Sequence, residues 1–271
     1  MSSHYSTGGA NGVELQPLSS TAKTEMRSPY AHSRRHLFVC GVPRSGTTAL
    51  ALLLNRHPLI GIGIERYRFL AVGNDAKLYS DELFQTDRFF RYKPGDGARD
   101  VFDKYQHVYA DLAAKWGRCL IVGDKVPRLY AAAERVWQKL PRATFVFIAR
   151  DVLPVALSWQ RRADDSEDTS WPNSNEFKAG VTEWNRGVAA AVGLAKRYPR
   201  KFYVVSYEVL AAIGPAALDP LFEALQIPNL FEANVVADNV FGPSPSAEAS
   251  DEQLDYVRSH SDDEAYRDLL R

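Results

Sequence analysis

The run Gly41-Val42-Pro43-Arg44-Ser45-Gly46-Thr47-Thr48 is the part of this chain whose residue types and spacing best suit chemistry. It lies between the apolar runs His36–Cys40 and Ala49–Leu54. Two glycines and a closing Thr give it the frame of a nucleotide-binding P-loop, but Thr47 stands where that motif has lysine. The loop carries its cation at Arg44 instead. A loop that leads from a strand into a helix aims several backbone N–H groups at one spot, and the helix dipole adds partial positive charge there. Gly46 lets the backbone approach an anion closely, and Thr47 and Thr48 add hydroxyl donors. Arg44 can bond two anion oxygens at once. A phosphate site is the expectation. Kinases and NTPases rely on the lysine missing here and on a later Asp for Mg²⁺. A single terminal phosphate bearing a less charged leaving partner fits the loop better.

A second constellation lies further along. Arg150 ends an apolar run, and Ser158 follows inside the next helix. Such an Arg supplies charge and such a Ser a directed donor, although a salt-bridged Arg and an ordinary helical Ser would look the same in isolation. His57, before Pro58, reads as a helix terminator, and His107, between Tyr105 and Tyr109, as a packing residue. The His and Cys residues show no metal-ligand spacing, and no Ser-His-Asp arrangement is suggested.

The elements that would position these residues alternate between β and α. The pattern predicts strands at His36–Gly41, Leu59–Ile64, Cys119–Gly123, Ala143–Ala149 and Phe202–Ser206. It predicts helices over Thr47–Arg56, Asp81–Thr86, Arg99–Trp116, Arg128–Leu140, Val152–Arg162, Asn175–Arg197 and Gly214–Leu225, with a last one from about Ser250. The fold class expected is α/β: a single P-loop-type domain over 35–271, with a central parallel sheet flanked by helices on both faces. Ligands in such sheets sit at the carboxyl ends of strands, where both constellations fall. Residues 1–34 lack periodicity and read as a disordered tail. Asp164–Asn175 is acidic and reads as a loop that could cover a site.

Composition narrows the function. With a formal net charge of +0, no global basic field recruits nucleic acid, so any anion must be held by local groups. The chain has only 2 cysteines, Cys40 and Cys119, both beside apolar runs, which points to reduced core thiols and a cytoplasmic setting. No apolar run is long enough to span a membrane, and no hydrophobic leader core is seen.

Pro43-Arg44-Ser45-Gly46-Thr47-Thr48 resembles the 5′-phosphosulfate loop of sulfotransferases that use 3′-phosphoadenylyl sulfate. The wording of the whole loop, with His57-Pro58 after its helix, is most similar to the bacterial and tyrosylprotein-sulfotransferase-like branch. Arg150 and Ser158 resemble, in type and separation, the family's 3′-phosphate motif, and Tyr207-Glu208 its Tyr-Glu pair, whose Tyr contacts adenine. The resemblance implies 3′-phosphoadenylyl sulfate as co-substrate, no metal requirement, and a small-molecule, carbohydrate or lipid acceptor sulfated on a hydroxyl or, less favoured, an amine. Asp124-Lys125-Val126-Pro127 is similar to a run of that branch whose Lys lies near the sulfuryl group, and Glu65 takes the place of its general base. The base pKa would be raised by burial or tuned by Lys125 and Arg44. Glu65 paired to Arg66 or Arg68 on the surface, and Lys125 solvated at a strand end, are the structural alternatives. Two departures stand out. Ala49 replaces a Trp of the cytosolic members, and the loop Gly242–Ser246 lacks their C-terminal basic residues. A P-loop kinase and a non-catalytic nucleotide-binding relative are the competing classes.

Overall fold

The structure is a computed structural model that describes residues 34–71, 73–167, 171–231, 241 and 249–271. The predicted tail, Arg34 apart, lies outside the described residues. The chain order is β1 (Arg35–Gly41), α1 (Thr47–Arg56), β2 (Ile60–Ile64), α2 (Thr86–Phe89), α3 (Arg99–Lys104), α4 (Gln106–Lys115), β3 (Ile121–Lys125), α5 (Ala133–Lys139) and β4 (Thr144–Ala149). It continues with α6 (Val152–Ala163), α7 (Phe177–Arg197), β5 (Phe202–Ser206), α8 (Tyr207–Ile213), α9 (Asp219–Ala224), α10 (Asp251–His260) and α11 (Asp263–Leu269). Short 3₁₀ turns fill Arg68–Ala71, Gly73–Leu78, Asp81–Phe84 and Pro127–Ala132, the last two where the pattern predicts α-helix.

All strands pair in parallel, in the order β2-β3-β1-β4-β5. The helices flank this sheet, so the α/β expectation holds. The chain leaves β1 for the far edge, returns beside it as β3, then crosses to its other side as β4. The reversal of strand order therefore falls at β1, and the carboxyl ends of β3, β1 and β4 face one crevice. The inner strands are buried throughout or nearly so, as apolar β-branched and aromatic runs covered on both faces should be.

β3 departs from the expectation. It runs to Lys125 rather than ending at Gly123, so Asp124 and Lys125 lie inside the sheet. Both are buried, at 0% and 1% exposure, which the hydrophobic pattern alone argues against. α8 was not expected either. Ser206 caps it, its hydroxyl accepting from the backbone N–H groups of Glu208 and Val209.

Edge strand β2 is tied to α1 by Asn55, whose amide donates to the Ile62 carbonyl at 2.8 Å and accepts from the Ile62 N–H at 2.7 Å. Those bonds occupy groups that an edge would otherwise present to solvent. His57 ends α1 as expected. Its Nδ1 accepts from the Leu59 N–H (3.1 Å) and its Nε2 bonds the Pro228 carbonyl (2.9 Å), while the ring stacks on Phe222. It has a packing role and lies away from the crevice.

Candidate active site

The chain leaves β1 through a tight turn in which the Ser45 N–H donates to the Val42 carbonyl at 3.0 Å. Arg44 (φ 78°) and Gly46 (φ 96°) both take the left-handed conformation, and Gly46 is the N-cap residue of α1. A Cβ at position 46 would lie 2.7 Å from Cδ2 of Tyr207, so glycine is demanded by space as well as by φ. The Ser45 hydroxyl is buried and has no hydrogen-bond partner among the described residues. Behind the loop, Trp159 Nε1 donates to the Pro43 carbonyl at 3.0 Å and fixes its back wall.

The second constellation sits directly against the first. Arg44 Nε donates to Ser158 Oγ at 2.9 Å, and Arg150 Nη1 donates to the Arg44 carbonyl at 3.3 Å. The Arg150 guanidinium lies over the Tyr207 ring, 3.9 Å from its centroid, and Trp184 Nε1 holds the Arg150 carbonyl at 2.8 Å. Burial, followed by the like charges of Arg162, Arg161 and Arg150, lowers the Arg44 pKa from its ordinary value. Several guanidinium groups focused on one small region create a local positive potential in a chain of zero net charge. The loop residues Pro43, Arg44, Ser45, Gly46, Thr47 and Thr48 thus adjoin Arg150, Ser158 and Tyr207, as expected from sequence.

Glu65 stands one residue beyond β2, beside the end of β3. Its side chain is 18% exposed; Oε1 accepts from Lys125 Nζ at 2.7 Å and Oε2 lies 3.3 Å from Arg68 Nη1. Lys125 is buried rather than solvated. Arg66, the other partner considered for Glu65, is buried and instead pairs with Asp96 at 2.6 Å. Burial raises the Glu65 pKa, but the Lys125 charge and hydrogen bond, with Arg68 and Arg162, outweigh it and leave the carboxyl below its ordinary value. Of the two effects expected from sequence, burial and tuning by Lys125, ion pairing beats desolvation here.

Glu65 has φ 53°, a left-handed conformation that costs a residue with a side chain about 1–2 kcal/mol. The surrounding bonds hold it. The Ile64 N–H donates to the Tyr109 hydroxyl (3.1 Å) and the Glu65 N–H to the Lys125 carbonyl (2.8 Å). The next two N–H groups, of Arg66 and Tyr67, donate to the two carboxyl oxygens of Asp124 at 3.0 and 2.8 Å. Burial pushes the Asp124 pKa up to about 7, against those two bonds and the charges of Lys125 and Arg66.

A cleft of about 780 Å³ opens between the loop and the Glu65 turn. Glu65, Arg68, Asp100, Lys104, Arg161 and Arg162 bring charge to its lining, and Tyr105 brings an aromatic ring. Glu65 apart, these residues were not singled out as site residues from sequence, because, Arg68 excepted, they lie on α3 and α6 and at their ends, far apart in the chain. Other aromatic side chains of the neighbouring stretches do not line this cleft. Tyr67 and Phe89 are fully buried in the core, Phe90 packs edge-on against Trp116, and Trp171 packs edge-on against Trp159. Tyr92 donates to the Gly97 carbonyl, and Phe69 is exposed on the surface. The loop Gly242–Ser246 lies outside the described residues. Among the described residues no cluster of His, Cys, Asp or Glu could hold a metal ion, and no helix is long and apolar enough to cross a membrane.

Comparison with known proteins gives one family. The sequence model described as "Sulfotransferase family" matches residues 36–232, most of the chain. A crystal structure of a sulfotransferase from Alicyclobacillus acidocaldarius is similar at 20% identity and a TM-score of 0.51, covering 87% of this chain and 94% of that one. A sulfotransferase from Mycobacterium avium gives 17% identity and a TM-score of 0.51, with 92% and 80% covered. The sulfotransferase domain from the curacin biosynthetic pathway gives 15% identity and a TM-score of 0.50, with 88% and 96% covered. No curated protein matches the sequence. At these identities the structures establish the shared fold, while the family rests on the match over 36–232: the chain belongs to the sulfotransferase family.

Proposed function

We propose that this protein transfers a sulfuryl group from 3′-phosphoadenylyl sulfate to a hydroxyl, in preference to an amine, on a hydrophilic acceptor. The observation that carries this reading is the contact between the two anion cradles, Arg44 with Ser158 and Arg150 with the Arg44 carbonyl. A nucleotide with phosphates on the 3′ and 5′ positions of one ribose needs two cradles that touch. A nucleoside triphosphate needs one long cradle with a lysine, and Thr47 occupies that place. The buried hydroxyl of Ser45 suits a phosphosulfate oxygen drawn close to the backbone.

In this reading Pro43 to Thr48 hold the 5′-phosphosulfate, Arg150 and Ser158 the 3′-phosphate, and Tyr207 the adenine side. The acceptor oxygen forms a bond to sulfur as the bond from sulfur to the bridging phosphate oxygen breaks, and the acceptor proton passes to Glu65. Lys125 and Arg44 supply positive charge where negative charge develops. The lowered pKa of Glu65 keeps it in the base form at neutral pH. The charged cleft beside Glu65 favours an acceptor rich in hydrogen-bonding groups, because an apolar one would desolvate those charges without replacing their water. Buried, reduced Cys40 and Cys119 suit a cytoplasmic enzyme.

Thermal-shift titration tests the donor. Adenosine 3′,5′-bisphosphate is expected to raise Tm without added metal, and more than ATP does. An Arg150→Ala, Ser158→Ala double variant should lose most of that shift while folding normally. A larger shift with Mg-ATP would favour a kinase. Bisphosphate binding with no transfer to any acceptor would favour a non-catalytic relative.

A further inference from the structure

We propose that Asp124 is a positioning residue for sulfuryl transfer: its carboxylate fills a nest of backbone N–H groups and so holds the turn that presents Glu65 to Lys125 and the cleft. The inference rests on the reading of Glu65 as the base. Three successive N–H groups, of Glu65, Arg66 and Tyr67, all point at the Asp124–Lys125 end of β3. The first meets the Lys125 carbonyl, and the other two meet the separate oxygens of Asp124. Successive backbone donors around a left-handed residue form a concavity for an anion, and here a side chain of the neighbouring strand supplies it.

The sheet is shaped for that carboxylate. Gly63 pairs with Asp124 across β2 and β3, and a Cβ on Gly63 would come within 2.9 Å of Asp124 Oδ1. Asp124 is fully buried and does not line the cleft, so it cannot act on substrate directly. Its path to the chemistry is the backbone of Arg66 and Tyr67, and through it the φ of Glu65. The charged and titratable groups around it are Lys125 on its own strand, Arg66 and Tyr67 on the turn, Tyr79, and Tyr109 on α4. A neutral amide in its place keeps the shape but turns one acceptor oxygen into a donor facing an N–H.

The test is Asp124→Asn, alone and combined with Glu65→Gln, followed as release of adenosine 3′,5′-bisphosphate from 3′-phosphoadenylyl sulfate, with water or a polyol such as glycerol as the hydroxyl acceptor of the sulfuryl group. In the single variant kcat is expected to fall by about 10²-fold, the cost of a displaced catalytic group, with bisphosphate Kd unchanged within about twofold. In the Glu65→Gln background the same change should cost no more than about twofold, because Asp124 acts through Glu65. A folded Asp124→Asn protein with wild-type kcat, or a full loss on top of Glu65→Gln, overturns the proposal. Gly63→Ala crowds the carboxylate without removing it, and carries the same outcomes if Asp124→Asn does not fold. A Glu65→Gln enzyme that keeps wild-type kcat would instead overturn the base assignment.

Discussion

Glu65→Gln is expected to lower kcat by about 10²–10⁴-fold, the range for removing a general base, while adenosine 3′,5′-bisphosphate still binds. The amide keeps the volume of the carboxyl and can still accept from Lys125, so fold and donor site should persist. Single-turnover measurement of bisphosphate release checks the rate, and a bisphosphate thermal shift checks the donor site. Unchanged turnover would show that the acceptor proton leaves by another route. The pH profile offers a second readout in the wild-type protein. The folded pKa of Glu65 is depressed, so the group stays ionised above the ordinary carboxylate range and is protonated only as pH falls through its lowered value. The limb that belongs to Glu65 should therefore lie in that range, with the stability from the Glu65–Lys125 pair lost in the same direction, below a separate loss near neutral pH as Asp124, whose pKa burial pushes up to about 7, takes up a proton. Asp124→Asn should remove the upper limb and leave the lower one, and an acid limb near neutral pH that persists in that variant would contradict the Glu65 assignment.

Gly123→Ala is expected to destabilise the protein by more than about 4 kcal/mol, the level reserved for severe core defects. A Cβ at Gly123 would lie 1.8 Å from the Leu37 carbonyl oxygen and 2.7 Å from its carbon, both backbone atoms of the adjacent central strand. No side chain can move aside to relieve that overlap. β1 or β3 would have to shift, and with it the loop that leaves β1 or Lys125 at the neighbouring end of β3. Circular dichroism with urea denaturation checks the outcome, and a cooperative transition within about 1 kcal/mol of wild type would contradict it.

Sequence reading succeeded where local chemistry and fold agree. The Gly41–Thr48 loop, α1, β4 and β5 were legible because apolar runs, a left-handed glycine position and helix signals all point one way. β3 was cut short for a physical reason: hydrophobic patterning ends a strand at charge, and Asp124-Lys125 look like loop residues. Their burial becomes acceptable only through partners distant in sequence, the N–H groups of Arg66 and Tyr67 and the carboxylate of Glu65. The start of α8 did carry a local signal, Ser206 as a cap with Glu208 in the first turn. The cleft lining carried none, since Tyr105 and Arg161 meet only in three dimensions.

The hydrogen bond from Arg44 to Ser158 has a consequence for affinity apart from any contact with a ligand. A long guanidinium side chain gives up conformational entropy when it is immobilised, commonly about 0.5–1.5 kcal/mol at a binding surface. Ser158 selects the rotamer of Arg44 in the folded protein, so much of that ordering precedes the arrival of an anion. In the proposed donor site the hydroxyl would thereby contribute to binding by preorganisation, as a brace for the cation of the loop.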